Sequence, residues 1–487
     1  MKTCWQQPVS TKSKFKGNIK VEVAIIGAGM AGCLCAELLQ KAGKKVIVLE
    51  AKQIASGQSG RSSAKLTAQH HLIYRDLIHH YSLNQAKLYY QAQQNAIEQI
   101  HQLIEQYHID CDFQYCTSYL YTQIDDHHLA NEAAAYQQIG IDYLFEPSDE
   151  LPFPHMALGM KHQAHFDPVA FLQGLASHLP IFENSQVLKV DGNTLYLNDG
   201  KVTADQIIFA THYPFLDSLG FYFTKMYQQK SYILALKTKE PLLHQYLSID
   251  DNTSLRSAYQ KYLLIGGSGH RCGENPSGGQ YLHLHEIAKH FNGEIVTQWS
   301  AQDDMTLDGL PYVGRYSRLN PSYYVACGFN KWGMSNSMVA AELITSLILK
   351  QEHPLSKLFS PQRINLSNTF FNRLALAKRS LLHYLKRFMS TNSFQQLPCD
   401  QATVLEINQK KIGVYRDCQG DYHFIDAICP HLGCLLSFNP EEKSWDCPCH
   451  GSSFDIDGNL ISNPANHGLA HQKKPNLSIK PDELRQP

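Results

Sequence analysis

The hydrophobic positions change their spacing along the chain, and each change marks a predicted element. A β-branched run at 21–26 ends in a glycine-rich turn, and helical spacing over 33–42 and an apolar run at 45–49 follow it. This order predicts a βαβ unit. Helical spacing dominates 73–138, and a helix is predicted over 337–349. Strand patterns occur between them, at 186–190, 194–197, 206–210, 231–238 and 262–267.

A further amphipathic helix is predicted in the connector after residue 355. Its apolar residues recur at helical spacing and its basic residues occupy other faces. The apolar set is Phe370, Phe371, Leu374, Ala377, Leu381, Leu385 and Phe388, and the basic set is Arg373, Arg379, Lys386 and Arg387. Packing on the preceding domain is the favoured interpretation, and a membrane-surface helix is the alternative. From residue 403 onward, short strands and turns predict a small all-β domain.

The turn after the first strand carries a dinucleotide-binding pattern. Gly27, Gly29 and Gly32 form G-x-G-x-x-G between strand and helix, and Glu50 closes the next strand. The glycines permit a tight turn, close approach to a pyrophosphate and close helix packing, while Glu50 is placed to accept from ribose hydroxyls. Met30, Ala31, Ala51 and Lys52 lie in the same two turns, so they are predicted to contact the cofactor as well.

Downstream motifs identify the dinucleotide as FAD by resemblance. The stretches 54–70 (IASGQSGRSSAKLTAQH), 308–314 (DGLPYVG) and 328–342 (GFNKWGMSNSMVAAE) resemble the D-amino-acid oxidase and sarcosine dehydrogenase superfamily. The resemblance implies a helix N-terminus directed at the flavin. It also implies FAD bound without a covalent link, because serine stands at the family's histidine position and 308–315 lacks cysteine. The implied cofactor contacts are Gly60, Arg61, Ser62, Ser63, Ala64, Val187, Thr211, Asp308, Gly309, Gly333, Met334 and Ser335.

A second glycine-rich stretch does not predict another nucleotide site. Gly267, Gly269 and Gly273 follow a strand, but the residues at 274–279 (ENPSGG) are unsuited to starting a helix. A reductase fed by a nicotinamide cofactor is therefore not expected.

Composition sets further limits. A net charge of −1 over 487 residues gives no overall basic field for nucleic acid or an anionic membrane. The polar first twenty residues and the short apolar runs predict no signal segment and no transmembrane helix, so we expect a cytoplasmic protein. Most of the thirteen cysteines are scattered, but four of them, Cys429, Cys434, Cys447 and Cys449, crowd into one stretch with two histidines. That density indicates a metal site.

Two short motifs supply a candidate ligand set. Cys429 and His431 stand in the first, and Cys447 and His450 in the second. A Rieske [2Fe-2S] centre needs two cysteines and two histidines. Zinc can use the same set, although its ligands usually come in C-x-x-C and H-x-x-x-H pairs.

The residues around these motifs favour iron by resemblance. CPHLGC and CPCHGSSFD resemble the Rieske proteins of the cytochrome bc and b6f complexes over roughly 403–479. The resemblance implies a disulfide between Cys434 and Cys449. It also implies that Ser452 donates a hydrogen bond to a cluster sulfur. Phe454 stands where the family has tyrosine, so one hydroxyl donor is lost and we expect a lower reduction potential.

The predicted architecture is a Rossmann-type α/β FAD-binding domain with an inserted α+β substrate domain, followed by a small all-β Rieske domain. The predicted boundaries are a tail at 1–20, the FAD domain at 21–355 with insertions at about 72–165 and 220–305, a linker at 356–398 and the Rieske domain at 399–487.

The predicted function is oxidation of a small amine or amino acid at a C–N bond. Electrons would pass from flavin through the cluster to a one-electron acceptor, either a protein or a quinone. An electron-transfer or redox-sensing protein without its own substrate is the alternative. An oxygenase is not expected, because no separate mononuclear iron site is evident. Catalytic candidates are Lys331, where the relative glycine oxidase carries a carboxylate-binding arginine, with His270 and Arg61.

Overall fold

The computed structural model of the chain describes residues 3–5, 12–216, 220–363, 366–389 and 397–470, with the backbone alone for 366–370. These residues form two compact units. The first contains the residues up to Tyr222, together with Ser231–Gly269 and Tyr281–Thr369. The second contains Phe223–Lys230, His270–Gln280 and the chain from Phe370 onward. The second unit therefore includes the linker helix and two short segments that lie inside the predicted FAD domain.

The first sheet carries the predicted βαβ unit. Strand β1 pairs in parallel with β2 on one side and with β10 on the other. Residues 23–26 of β1 are buried, as expected for a central parallel strand. The eight strands are β1 Gly17–Ile26, β2 Val46–Leu49, β7 Ile181–Phe182, β8 Lys189–Asp191, β9 Thr194–Leu197, β10 Gly200–Phe209, β16 Tyr312–Arg315 and β17 Tyr323–Cys327.

A second, mixed sheet of nine strands contains the predicted substrate-domain insertions. Its order is β15-β11-β14-β13-β12-β4-β6-β3, with β5 paired to β6. The strands are β3 Lys65–Leu66, β4 Gln114–Thr122, β5 Tyr143–Phe145, β6 Met156–His165, β11 Met226–Lys237, β12 Gln245–Ser248, β13 Ser254–Ala258, β14 Tyr262–Arg271 and β15 Glu294–Thr306.

The helices occur where the sequence pattern predicts them, except within 73–138, and two more, at 168–176 and 280–288, were not predicted. They are α1 Met30–Lys41, α2 Ile73–His80, α3 Leu83–Gln106, α4 His127–Ile139, α5 Pro168–Ala176, α6 Gln280–Ala288, α7 Gly333–Ile348 and α8 Leu366–Leu385. Residues 114–122 form β4 instead of helix, because this Tyr- and Thr-rich stretch pairs with β6 and β12 inside the sheet.

Helix α8 corrects one expectation about packing. The apolar stripe of the linker was expected to pack on the preceding domain, but its side chains are exposed from Phe371 to Phe388. Phe370 lies outside the residues whose side chains are described. A helical period shows that one face is apolar, and it does not show what covers that face.

The second unit contains the predicted all-β domain. A three-stranded sheet comprises β18 Gln401–Ile407, β19 Lys410–Arg416 and β20 Tyr422–Asp426. A four-stranded sheet comprises β21 Ser437–Asn439, β22 Ser444–Asp446, β23 Ser453–Phe454 and β24 Leu460–Ser462. The loops between β20 and β21 and between β22 and β23 contain the two cysteine-histidine motifs.

Candidate functional site

The turn between β1 and α1 has room for backbone alone. Gly27 has φ +103, and a Cβ there would lie 2.5 Å from the carbonyl oxygen of Ala210. A Cβ at Gly32 would lie 1.9 Å from the carbonyl oxygen of Gly27. Gly29 occupies the N-cap of α1 and offers no capping side chain. The turn therefore packs closely against the neighbouring backbone, and glycine at its N-cap leaves the N-terminus of α1 without a side chain where the sequence predicts a pyrophosphate.

Glu50 is held at the end of β2 beside this turn. Its carboxylate accepts hydrogen bonds from the backbone amides of Ala28 and Lys52, each at 2.8 Å. Burial raises the pKa of Glu50, and the two amide donors act in the opposite direction. The acceptor stands where the sequence predicted the ribose-binding acid, next to Ala51 and Lys52.

Three buried side chains anchor the loop at 60–64, and the sequence did not single out any of them. Trp299 Nε1 donates to the carbonyl of residue 61 at 2.8 Å, and Trp5 Nε1 donates to the carbonyl of residue 62 at 3.0 Å. Arg256 donates through Nε to the carbonyl of residue 63. In trans peptides the following amides point away from these carbonyls. The backbone amides that follow these carbonyls in the predicted FAD loop are therefore directed away from the three anchoring side chains.

The end of this first loop meets the start of α7. His70 Nε2 lies 2.7 Å from the carbonyl oxygen of Thr67 and 3.1 Å from Ser335 Oγ, and its ring stacks on Trp332 at 4.8 Å. Burial lowers the pKa of His70 to about 3, so the ring is neutral. Gly333 begins the helix, and Met334 is buried beside it. Two motifs that are far apart in the sequence are thereby joined.

Lys331 lies in the turn before α7, within a group of opposite charges. Its Nζ donates to Ser231 Oγ at 2.9 Å. The side chain is accessible to solvent, yet surrounding protein lowers its pKa, while Asp303 raises it. Burial raises the pKa of Asp303, and Lys331 and His212 lower it.

Other predicted residues have partners of their own. The carboxylate of Asp308 accepts from Arg363 Nε and Nη2, both at 2.7 Å, in a buried ion pair, and Gly309 follows with φ +75. The hydroxyl of Thr211 donates to the carbonyl of Tyr213 at 2.8 Å. Val187 lies in the segment that connects β7 to β8, and its side chain is buried. Their contacts with FAD stay predictions.

Two catalytic candidates lie in different units. Arg61 belongs to the first unit, at the end of the 3-10 turn Gln58–Arg61. His270 belongs to the second unit, and its Nδ1 lies 2.8 Å from the carbonyl oxygen of Arg271. Their catalytic roles stay predictions. The loop after His270 confirms that 274–279 is not helical: α6 begins at Gln280, where Glu441 Oε1 accepts from the backbone amide at 3.1 Å.

The two cluster loops share one hydrogen-bond pattern. In the first, the backbone amide of Cys429 donates to the carbonyl of residue 434, and the amide of Gly433 donates to the carbonyl of Cys429. In the second, the backbone amide of Cys447 donates to the carbonyl of residue 452, and the amide of Gly451 donates to the carbonyl of Cys447. Both glycines have positive φ, at +76 and +83. Each loop therefore presents its cysteine on a turn that glycine closes.

The predicted metal ligands converge between these loops. The ring centroids of His431 and His450 are 5.0 Å apart, and the Cys447 thiol hydrogen-bonds to that of Cys429 and lowers its pKa. Burial lowers the pKa of His450 to about 3. Its buried Nδ1 has no hydrogen-bond partner among the described residues. A neutral imidazole with such a nitrogen fits a metal ligand.

A disulfide joins the two loops. Cys434 and Cys449 are bonded with an S–S distance of 2.03 Å, as the sequence resemblance implied. The Cys447 sulfur lies within 4.8 Å of both of their sulfurs. Because Cys434 and Cys449 are bonded to each other, they are not free to ligate a metal, and Cys429 and Cys447 stay the predicted cysteine ligands.

Hydrogen bonds behind the ligands also fit the prediction. Ser452 hydrogen-bonds to the Cys429 thiol and lowers its pKa, while its Oγ accepts from the amide of Ala465 at 3.0 Å. Phe454 is fully buried. A serine hydroxyl at the Cys429 thiol and a phenylalanine in place of the family tyrosine fit the predicted cluster with one hydroxyl donor.

A buried ion pair supports the second loop. Lys230 Nζ lies 2.7 Å from a carboxylate oxygen of Asp446, and both side chains are at most 5% exposed. Asp446 also accepts from Ser444 and Ser453, at 3.0 and 2.7 Å. Burial would raise the pKa of Asp446, but the Lys230 ammonium holds it below its usual value. This network fixes the strand that ends immediately before Cys447.

The two short segments of the second unit also contact this loop. Phe223 packs edge-on against His450, with ring centroids 5.7 Å apart. Gly273 approaches so closely that a Cβ there would lie 2.5 Å from the backbone nitrogen of Pro448. The Cys272 thiol donates to the carbonyl of Gly451 at 3.7 Å. Residues 223–230 and 270–280 thus pack against the second cluster loop.

Comparison with known proteins agrees with both predicted domains. The family described as FAD dependent oxidoreductase matches residues 22–347, and the Rieske [2Fe-2S] domain matches residues 389–473. The chain therefore belongs to the FAD dependent oxidoreductase (DAO) family and carries a C-terminal Rieske [2Fe-2S] domain. FAD and a [2Fe-2S] cluster are its cofactors.

Individual relatives match one or both parts. The putative Rieske 2Fe-2S iron-sulfur protein YhfW of Bacillus subtilis is 33% identical, covering 95% of this chain and 96% of that protein. The cytochrome b6-f complex iron-sulfur subunit of Synechococcus elongatus is 47% identical over 51 residues, or 10% of this chain and 28% of that subunit.

A solved structure matches the first part. Glycine oxidase from Geobacillus kaustophilus has a TM-score of 0.59 at 20% identity, covering 71% of this chain and 99% of its own. At that identity the likeness shows the fold. Within the described parts of the chain, no helix has the length and apolar character needed to cross a membrane.

Proposed function

We propose that the protein oxidises a C–N bond of a small amine or amino acid and passes the electrons through the Rieske cluster to a one-electron acceptor, a protein or a quinone. The observation that supports this proposal is that one chain contains both an FAD dependent oxidoreductase domain and a Rieske [2Fe-2S] domain. FAD accepts two electrons as a hydride and the cluster carries one at a time. Such a pair suits a two-electron substrate and a one-electron acceptor.

The charges beside the turn before α7 support an amino-acid substrate. Lys331 offers an ammonium to a carboxylate, and Asp303 offers a carboxylate to an amine. A lysine and an aspartate that influence each other's pKa suit a zwitterion, because each charge of the substrate finds a side chain of opposite charge. Fixing both ends orients the C–N bond, which the protein must achieve before hydride transfer. Arg61, in the same unit, is a further proposed contributor.

The test separates the two redox sites. His431→Ala removes a cluster ligand, so substrate should still bleach the flavin absorbance under anaerobic conditions, while turnover with a one-electron acceptor should collapse. His467→Ala is the matched control, because His467 is exposed and its Nδ1 lies beside the carbonyl of Gly468. Undiminished turnover in His431→Ala would contradict the proposed electron path. Failure of a broad set of amines and amino acids to bleach the wild-type flavin would favour the electron-transfer or sensing alternative.

A further inference from the structure

Helix α8 of the second unit exposes a continuous apolar face. Phe371, Leu374, Leu381 and Leu385 are spaced by three, seven and four residues, so they share one side of the helix. Leu382 and, beyond the helix, Phe388 and Met389 extend this surface. The exposed fractions range from 46% at Leu385 to 77% at Phe371. We call this set the apolar face of α8.

The opposite side of α8 is already engaged. Leu376 is buried, and His383 Nε2 lies 3.2 Å from Glu274 Oε1. Just beyond the helix, Arg387 Nη1 donates to the carbonyl of Gly433 in the first cluster loop at 3.0 Å. These contacts hold α8 to its own unit and leave the apolar face directed outward.

The charge of this segment selects the class of partner. Residues 366–389 contain five lysines and arginines and no aspartate or glutamate. Arg379 pairs with Glu274, whereas Lys378 and Lys386 are exposed. A basic helix with a wide apolar face is typical of helices that lie in the interface of an anionic bilayer.

Lys378 distinguishes a lipid surface from a protein partner. It stands between Leu374 and Leu381 on the apolar face itself. Against the dry centre of a protein interface, its ammonium would be buried without a partner, at considerable cost. At a bilayer surface the lysine stem lies among acyl chains while the ammonium reaches the headgroups.

We infer that the apolar face of α8 docks on an anionic lipid surface. The helix lies parallel to the bilayer, with the leucines and phenylalanines in the headgroup and acyl boundary and the lysines at the phosphates. Because Arg387 contacts the first cluster loop, docking brings that loop close to the membrane. The inference stands independently of which substrate reduces the flavin.

The experiment is flotation of the holoprotein with vesicles of phosphatidylcholine alone or with 30% phosphatidylglycerol. We expect binding to the anionic vesicles that falls as salt is raised. The double substitution Leu381→Glu and Leu385→Glu should weaken binding by roughly tenfold or more, because two apolar anchors become anionic. Lys378→Gln should weaken it by about fivefold, since a lysine near an anionic surface contributes about 1 kcal/mol.

Matched controls place the same charge elsewhere. Leu319→Glu and Leu282→Glu alter leucines that are 82% and 68% exposed outside α8, so together they should leave vesicle binding unchanged. Flavin and cluster absorbance confirm that each variant retains both cofactors. Absence of binding by the wild type at low salt, or equal loss in the control, would overturn the inference. Self-association that the Leu381 and Leu385 changes abolish, without vesicle binding, would overturn it in favour of a second copy.

Discussion

Replacing Gly273 with alanine tests whether residues 270–280 support the second cluster loop. Gly273 has φ +74, and a Cβ would lie 2.5 Å from the nitrogen and 2.6 Å from the Cα of Pro448. Both atoms are backbone in the loop that carries Cys447 and His450, so a flexible side chain cannot move aside to relieve the contact. The loop itself must shift.

The magnitude follows from two separate penalties. A left-handed backbone costs a non-glycine residue about 1 kcal/mol, and forcing an extra methyl group into a packed site costs about 1–3 kcal/mol. Gly279→Ala is the matched control in the same unit, because Gly279 has φ +92 with nothing within 4 Å of its Cβ position. The control carries the backbone penalty alone, so the variants should differ by about 1–3 kcal/mol.

The assay is thermal loss of the visible circular dichroism of the cluster, followed together with release of FAD fluorescence. In a unit whose size lies between about 100 and 150 residues, 1 kcal/mol shifts a midpoint by about 4 °C. Gly273→Ala should therefore lose its cluster about 4–12 °C below Gly279→Ala, while both release FAD at similar temperatures. Equal cluster midpoints in the two variants would refute the close approach of Gly273 to the loop.

Three further changes test individual residues. Lys230→Met should destabilise the second unit by about 3–5 kcal/mol in denaturant unfolding, because Asp446 is left as an unpaired buried charge. Lys14→Met, at an exposed pair with Asp199, should cost about 1 kcal/mol or less. Similar losses of unfolding free energy in the two variants would contradict the argument. Phe454→Tyr should raise the cluster midpoint potential in voltammetry by adding a hydroxyl donor. An unchanged or lower potential would contradict the prediction that residue 454 stands at the family's tyrosine position. Lys331→Met should raise the KM for an anionic substrate while FAD content stays normal; loss of FAD alone would make Lys331 a cofactor residue.

The chemistry of both cofactors could be predicted because its ligands are local in the chain. Gly27, Gly29 and Gly32 act within one turn, and each cluster loop holds its cysteine and histidine within four residues. Backbone space and metal-ligand type depend on residue identity at short spacing. The sequence alone therefore determined the two cofactors and the order of the two parts, and it predicted the cluster ligands.

Residues that act through distant contacts were missed for the opposite reason. Trp5, Trp299 and Arg256 bind three consecutive carbonyls of the FAD loop from 57, 238 and 193 residues away. Lys230 meets Asp446 across 216 residues. A buried tryptophan or lysine carries no local signal of its partner, so folding alone brings these pairs together.

Helix α8 has one property that the sequence determined and another that only the tertiary structure decided. Its period of apolar residues was visible in the sequence and correctly predicted a helix. Which surface would cover the apolar face depended on how its other side is held, by contacts such as that of Arg387 with Gly433. Only the tertiary structure decided that the face stays exposed, because amphipathicity sets which side avoids water and packing sets what that side meets.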